Sequence, residues 1–193
     1  MSEVTPATAL QHYLQEAREA LVWKLDGLGE SQVRRPMTPT GTNLLGLVKH
    51  TATVESGYLG ATFGRPFPEP TPWIEEDAEP NADMFATADE SIDDIVGFYR
   101  RVWAHSDATL TEVPLDTEGE VPWWRPEKRV TTLHRIAVHV IAETHRHAGH
   151  ADIVRESIDA AIGLRADNSN LPDGFDWTVY RARLDAIAHS FDA

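Results

Sequence analysis

The sequence predicts an all-α protein, a bundle of four main helices followed by a short C-terminal helix. Three observations carry this. Between about residues 7 and 160, four long stretches repeat apolar residues with the 3.6-residue period of an amphipathic helix. Loops rich in proline, glycine and acidic residues separate them. No stretch alternates convincingly with period two, so no sheet is expected. A chain of 193 residues, 41% of them hydrophobic, suffices for one core. Residues 1–193 therefore read as a single domain, with 161–193 as a C-terminal extension.

The first helix is expected from about Ala7 to Leu28, with Leu10, Tyr13, Leu14, Ala17, Leu21, Trp23, Leu25 and Leu28 as its apolar stripe. Gly27 and Gly29 weaken its end, and Pro36 and Pro39 mark a loop. Thr42 or Asn43 caps the second helix. Leu44, Leu47, Val48, Thr51, Val54, Glu55 and Tyr58 keep the period there until Gly64 and Pro66 stop it, and His50 sits beside that stripe. Gly46 reads as a close-packing position. From Glu69 to Asp94 the chain is acidic without a single basic residue, which reads as a solvated loop leading into a helix. The third helix is expected from Thr87, a cap with Glu90 three residues on, to about Leu110. A loop containing "EVPWWRPEKR" follows. The fourth helix is expected from Val130 to about Ile158, with Leu133, Ile136, Ala137, Val140, Ile141, Ala148, Ala151 and Val154 facing inward. After "NSNLPDG", a short helix from Trp177 to Ser190 closes the chain.

Charge narrows the partners. Seventeen basic residues against 31 acidic ones give a formal charge of −14. Such a surface repels phosphate backbones and anionic lipid, so neither nucleic acid nor membrane is an expected partner. The N-terminal residues lack a basic start and an apolar run, and no stretch approaches the roughly 18 apolar residues of a membrane span. A cytoplasmic location is expected. There is no cysteine, so any metal must be held by His, Asp or Glu, and any thiol chemistry must use a thiol from outside the chain.

The segment "HVIAETHRHAGH", His139 to His150, holds four of the nine histidines. On a helix, His139, Glu143 and His147 fall in one axial row and His150 lies nearly on the same line, while His145 points elsewhere. Two ligands four residues apart can reach one metal ion. Both His139 with Glu143 and Glu143 with His147 meet that spacing. A third ligand has to come from another helix, and His50 is the best-placed candidate. Carboxylate plus neutral imidazole suits zinc, and nickel and iron also accept such ligands.

Three segments together, "GTNLLGLVKHTATVESGYLGATFGRP", "VPWW" and "ETHRHAGHADIVRE", resemble the DinB-like metal-binding bundles. The branch is similar to the N-terminal domain of mycothiol-dependent maleylpyruvate isomerase. The resemblance covers the first helix to Ile158. It implies an up-and-down four-helix bundle and a divalent metal, one ligand coming from the second helix and two from the fourth. "LVKH" then supplies His50, and "ETHRH" supplies Glu143 and His147. His139 becomes a neighbour one turn away and a candidate substrate contact. Read from their own position before the fourth helix, Trp123 and Trp124 either plug the end of the bundle or wall a pocket for substrate. The isomerase has a further C-terminal domain, whereas the residues after Ile158 are expected only to cap the bundle here.

Three protein ligands leave a coordination position open. The function expected from the resemblance is a metal-dependent thiol S-transferase that activates a low-molecular-weight thiol, such as mycothiol, as a metal-bound thiolate and joins it to an electrophile. A metal-dependent hydrolase and a non-catalytic metal- or ligand-binding bundle are the alternatives. Arg125, Lys128 and Arg129 form a rare basic group suited to an anionic substrate or to solvent. Pairing of two copies through exposed helix faces is a further expectation.

Overall fold

In the computed structural model, residues 5–165, 167–172 and 174–192 are described. Thr5 accepts a hydrogen bond from the Thr8 amide, and Pro6 follows it, so helix α1 starts at Pro6 and runs to Trp23. It is shorter than its apolar stripe, because the chain turns at Lys24 and Gly27 takes a positive φ of 75°. A five-residue helix α2, Glu30–Arg34, follows and buries Val33. Asn43 caps α3, Leu44–Leu59, through a 2.7 Å bond from the Gly46 amide. Helix α4, Ile92–Glu112, begins four residues later than the sequence implied, because Ser91 and Asp94 form the capping box. Thr87 does bond to Glu90, but only to hold a turn.

The expectation of no sheet is corrected. Glu118–Glu120 (β1) and Val130–Thr132 (β2) pair antiparallel across the tryptophan loop. Three residues per strand are too few to show an alternating pattern. Helix α5 consequently starts at Leu133, capped by Thr132, and ends at Asp159. Helix α6, Trp177–His189, follows and buries none of its residues, while the start of the extension lies against α1: Lys24 Nζ donates to the Gly163 carbonyl and Arg165 pairs with Glu16.

Contacts define the directions of the four long helices. His50 meets His147 and Tyr58 meets His139, so α3 and α5 run antiparallel. Arg155 on α5 reaches the Lys24 and Asp26 carbonyls, at the end at which α1 finishes. Gln11 and Arg18 both reach Asp107, and Arg18 also lies over Trp103, so α4 runs against α1. Lys49 pairs with Glu90 and Gly60 lies against His105, so α3 and α4 run parallel. The order is up, down, down, up, with residues 60–91 as the long crossover, which corrects the up-and-down alternation that the resemblance implied.

The apolar core falls into two clusters. One gathers Leu21, Leu25, Leu45, Val48, Phe98, Val102, Ala151 and Val154; the other gathers Leu14, Leu59, Leu110, Leu133, Ile136 and Val140. Polar residues are buried between them: Arg18 on α1, Glu55 on α3, Ser106 and Thr109 on α4, and Thr144 on α5. Arg18 donates from Nε and Nη2 to the Glu55 carboxylate and from Nη1 to Asp107. Burial opposes its charge, but the two carboxylates outweigh that and hold the guanidinium ionised. Lys24 pairs with Asp152 at 2.6 Å, tying the end of α1 to α5.

Candidate functional site

The groove between α3 and α5 collects the histidine row. The register pairs position 50 with 147 and position 58 with 139, which sets Val54 opposite Glu143. The 50/147 and 58/139 levels lie about 12 Å apart along the groove, eight residues at about 1.5 Å each.

At the first level, the His50 and His147 rings stand edge to face with centroids 4.8 Å apart. Glu143 lies one turn away on α5, its Oε2 3.9 Å from His147 Nε2. His50 therefore meets the Glu143–His147 pair of α5 through His147. They do not close into a finished cage: among the described residues, no group of three or more His, Asp or Glu side chains has metal-holding geometry. The donor set still fits a divalent cation. His147 is 13% exposed in its side chain. Burial, together with His50 and His150 nearby, pushes its pKa down to about 4, against the opposing pull of Glu143. Its imidazole is therefore neutral at pH 7, the form a metal ligand requires. Its Nδ1 is buried without a hydrogen-bond partner, a cost that a folded protein normally avoids.

The His150 ring stands edge to face with that of His147 at 5.5 Å and His145 is exposed, so the row separates as the helical spacing implied. Sequence reasoning missed Asp83, whose Oδ2 lies 2.6 Å from His50 Nδ1. Asp83 belongs to the acidic segment read as solvated loop. That reading is corrected for residues 82–86 and for Glu90, which pack on α2 and α3, while residues 87–89 are exposed as expected. Asn43 Nδ2 donates to the Met84 carbonyl, Lys49 Nζ to the Phe85 carbonyl, and Arg34 to the carbonyls of Ala86, Thr87 and Glu90. Gly46 makes this approach possible: a Cβ there would stand 1.8 Å from the Met84 carbonyl oxygen.

At the second level, Tyr58 organises the aromatic residues. Its Oη accepts hydrogen bonds from Trp124 Nε1 at 2.8 Å and Trp123 Nε1 at 3.1 Å. The His139 ring packs edge-on against Tyr58 at 4.8 Å and against Trp124 at 5.6 Å. Trp123, Trp124, Arg125, Lys128, Arg135 and His139 line an open cavity of about 460 Å³. Arg125, Lys128 and Arg135 have no carboxylate partner among the described residues, whereas Arg129 is tied to Glu120 and the Trp124 carbonyl. Tyr58 was recognised only as an apolar-stripe residue. The available clue was its position two turns from His50 on the same face.

No helix among the described residues is long and apolar enough to cross a membrane. No curated protein and no solved structure matches the chain. One family model does match, over residues 9–160, and its description is mycothiol-S-transferase.

Proposed function

The chain belongs to the mycothiol-S-transferase family, and from that premise we propose that it joins the sulfur of mycothiol to an electrophilic carbon with the help of a divalent metal, zinc in the first instance. One observation carries the metal part of this reading. His50 lies against His147 across the α3–α5 groove, Glu143 stands one turn from His147 on α5, and His147 is held neutral. These three residues would hold the ion, two imidazoles supplying neutral nitrogen and Glu143 a single negative charge. A divalent cation bound there supplies Lewis acidity that favours a thiolate over a thiol at neutral pH.

The remaining work falls to the chain. With no cysteine of its own, the protein offers no thiol to compete with the bound one. The wall formed by Tyr58, Trp123, Trp124 and His139 offers edges and faces for the body of a bound molecule, and Arg125, Lys128 and Arg135 offer charge to an anionic group. A molecule about 12 Å long spans from this wall to the histidine pair, so one end can be gripped while the other reacts. In the reaction, a carbon–sulfur bond forms and the thiol proton passes to solvent. The electrophile either loses its leaving group or, if it is an activated double bond, takes up a proton at the neighbouring carbon.

The test is turnover. Zinc-loaded protein is incubated with mycothiol and a panel of electrophiles, and loss of free thiol is compared with thioether formed. Stoichiometric thioether formation that disappears on adding chelator is the expected result. Turnover of an ester or amide without thiol would move the protein to the hydrolase reading. Metal binding with neither activity would leave a binding module.

A further inference from the structure

We propose that Asp83 is a positioning residue for His50: its carboxylate fixes the imidazole tautomer that leaves Nε2 free to take a metal ion. This rests on the metal reading of His50, Glu143 and His147 and adds to it a residue from a different segment.

An ionised carboxylate only accepts hydrogen bonds, so the 2.6 Å contact between Asp83 Oδ2 and His50 Nδ1 requires Nδ1 to carry the hydrogen. In neutral imidazole the other nitrogen, Nε2, then holds the lone pair. A carboxylate that accepts from the far nitrogen of a ligating histidine fixes both ring orientation and tautomer, and makes the ring a better donor to the metal.

Asp83 is also held in place by its surroundings. It sits in a single 3-10 turn, Ala82–Met84, within an acidic stretch that would be solvated if free. Instead the turn is strapped down on both sides. The Met84 carbonyl is bound by Asn43, the residue that caps the helix bearing His50. Lys49, next to His50, holds the Phe85 carbonyl and the Glu90 carboxylate. Arg34 holds three further carbonyls. Gly46, one turn before His50, is bare on the side the Met84 carbonyl approaches. Side chains at 34, 43 and 49 and the absence of one at 46 thus all serve to seat a segment whose inward-reaching carboxylate meets His50.

The experiment measures zinc affinity of the purified full chain by competition with a chromophoric chelator, alongside imidazole nitrogen–hydrogen correlation spectra of the metal-free protein. Asp83→Ala is expected to weaken zinc binding about 10- to 100-fold, the range usual for such supporting carboxylates. Asp83→Asn should lose less, because its carbonyl oxygen still accepts from Nδ1–H. Asp89→Asn removes the same charge from the same segment and should leave affinity unchanged. The spectra should show His50 protonated on Nδ1 in the wild type and shifted toward Nε2 protonation in Asp83→Ala. The proposal is overturned if Asp83→Ala binds zinc within twofold of wild type, if Asp89→Asn loses as much, or if wild-type His50 carries its hydrogen on Nε2. His50→Ala, Glu143→Ala and His147→Ala run beside these variants. If all three retain zinc, the metal reading itself fails. If they lose zinc and Asp83→Ala does not, only the positioning role falls.

Discussion

Replacing Glu55 by alanine removes one half of a fully buried ion pair, since the Arg18 and Glu55 side chains are both 0% exposed. The guanidinium would lose its bonds from Nε and Nη2, keeping those to Asp107 at 2.8 Å and Gln15 at 3.3 Å. Breaking a buried pair by removing one partner costs about 3–5 kcal/mol, because a charge is left uncompensated in the interior. With Asp107 still present, the lower end applies, about 3 kcal/mol. For a domain of this size that corresponds to a fall in Tm of roughly 6–12 °C, at about 2–4 °C per kcal/mol. Circular dichroism melts and urea titrations of the metal-free protein measure it. The double variant Arg18→Met with Glu55→Leu removes the stranded charge and should regain more than half of the loss. A single-variant loss below about 1 kcal/mol, or a double variant no better than the single, would refute the claim that the waist of the bundle depends on this compensation.

Three further predictions follow from other parts of the molecule. Gly46→Ala places a Cβ 1.8 Å from the Met84 oxygen, so the strap must lift; a loss of about 1–3 kcal/mol in urea titration is expected, with zinc affinity falling as for Asp83→Ala. His147 gives a pH dependence of known sign. The unfolded imidazole takes up its proton near the ordinary 6.5 and the folded one only near 4. Between those values the unfolded state binds more protons, and metal-free stability falls as pH falls, by up to about 3 kcal/mol; His147→Gln should flatten that slope in urea titrations at stepped pH. Tyr58→Phe removes the acceptor shared by both indole N–H groups, and should cost about 1–2 kcal/mol and alter the tryptophan emission.

Much of the fold could be read because its signals are periodic and local. The stripe Leu44–Tyr58 and the inward row Leu133–Val154 identify α3 and α5, and Asn43 was available as a cap. Boundaries failed where two signals competed. Thr87–Glu90 and Ser91–Asp94 carry the same capping pattern, and only tertiary contacts decide between them: Lys49 draws Glu90 toward α3. The α5 row was accessible for the same reason as the helix, since spacing by four places Glu143 and His147 together whatever surrounds them. His50 was found by its position beside an apolar stripe and by the family resemblance. Asp83 and Tyr58 were not singled out. An acidic residue in an acidic loop carries no periodic mark, and its partner lies 33 positions away in the chain. Tyr58 looks like core until both tryptophans are seen bonding to its hydroxyl.

Metal content per chain bears most directly on the whole account. Protein purified without chelator and loaded with zinc is expected to hold one ion per chain by mass spectrometry, with occupancy lost in His50→Ala, Glu143→Ala and His147→Ala and retained in His145→Ala. A wild-type chain that takes up no zinc, nickel or iron, or one whose binding survives all three substitutions, would contradict it.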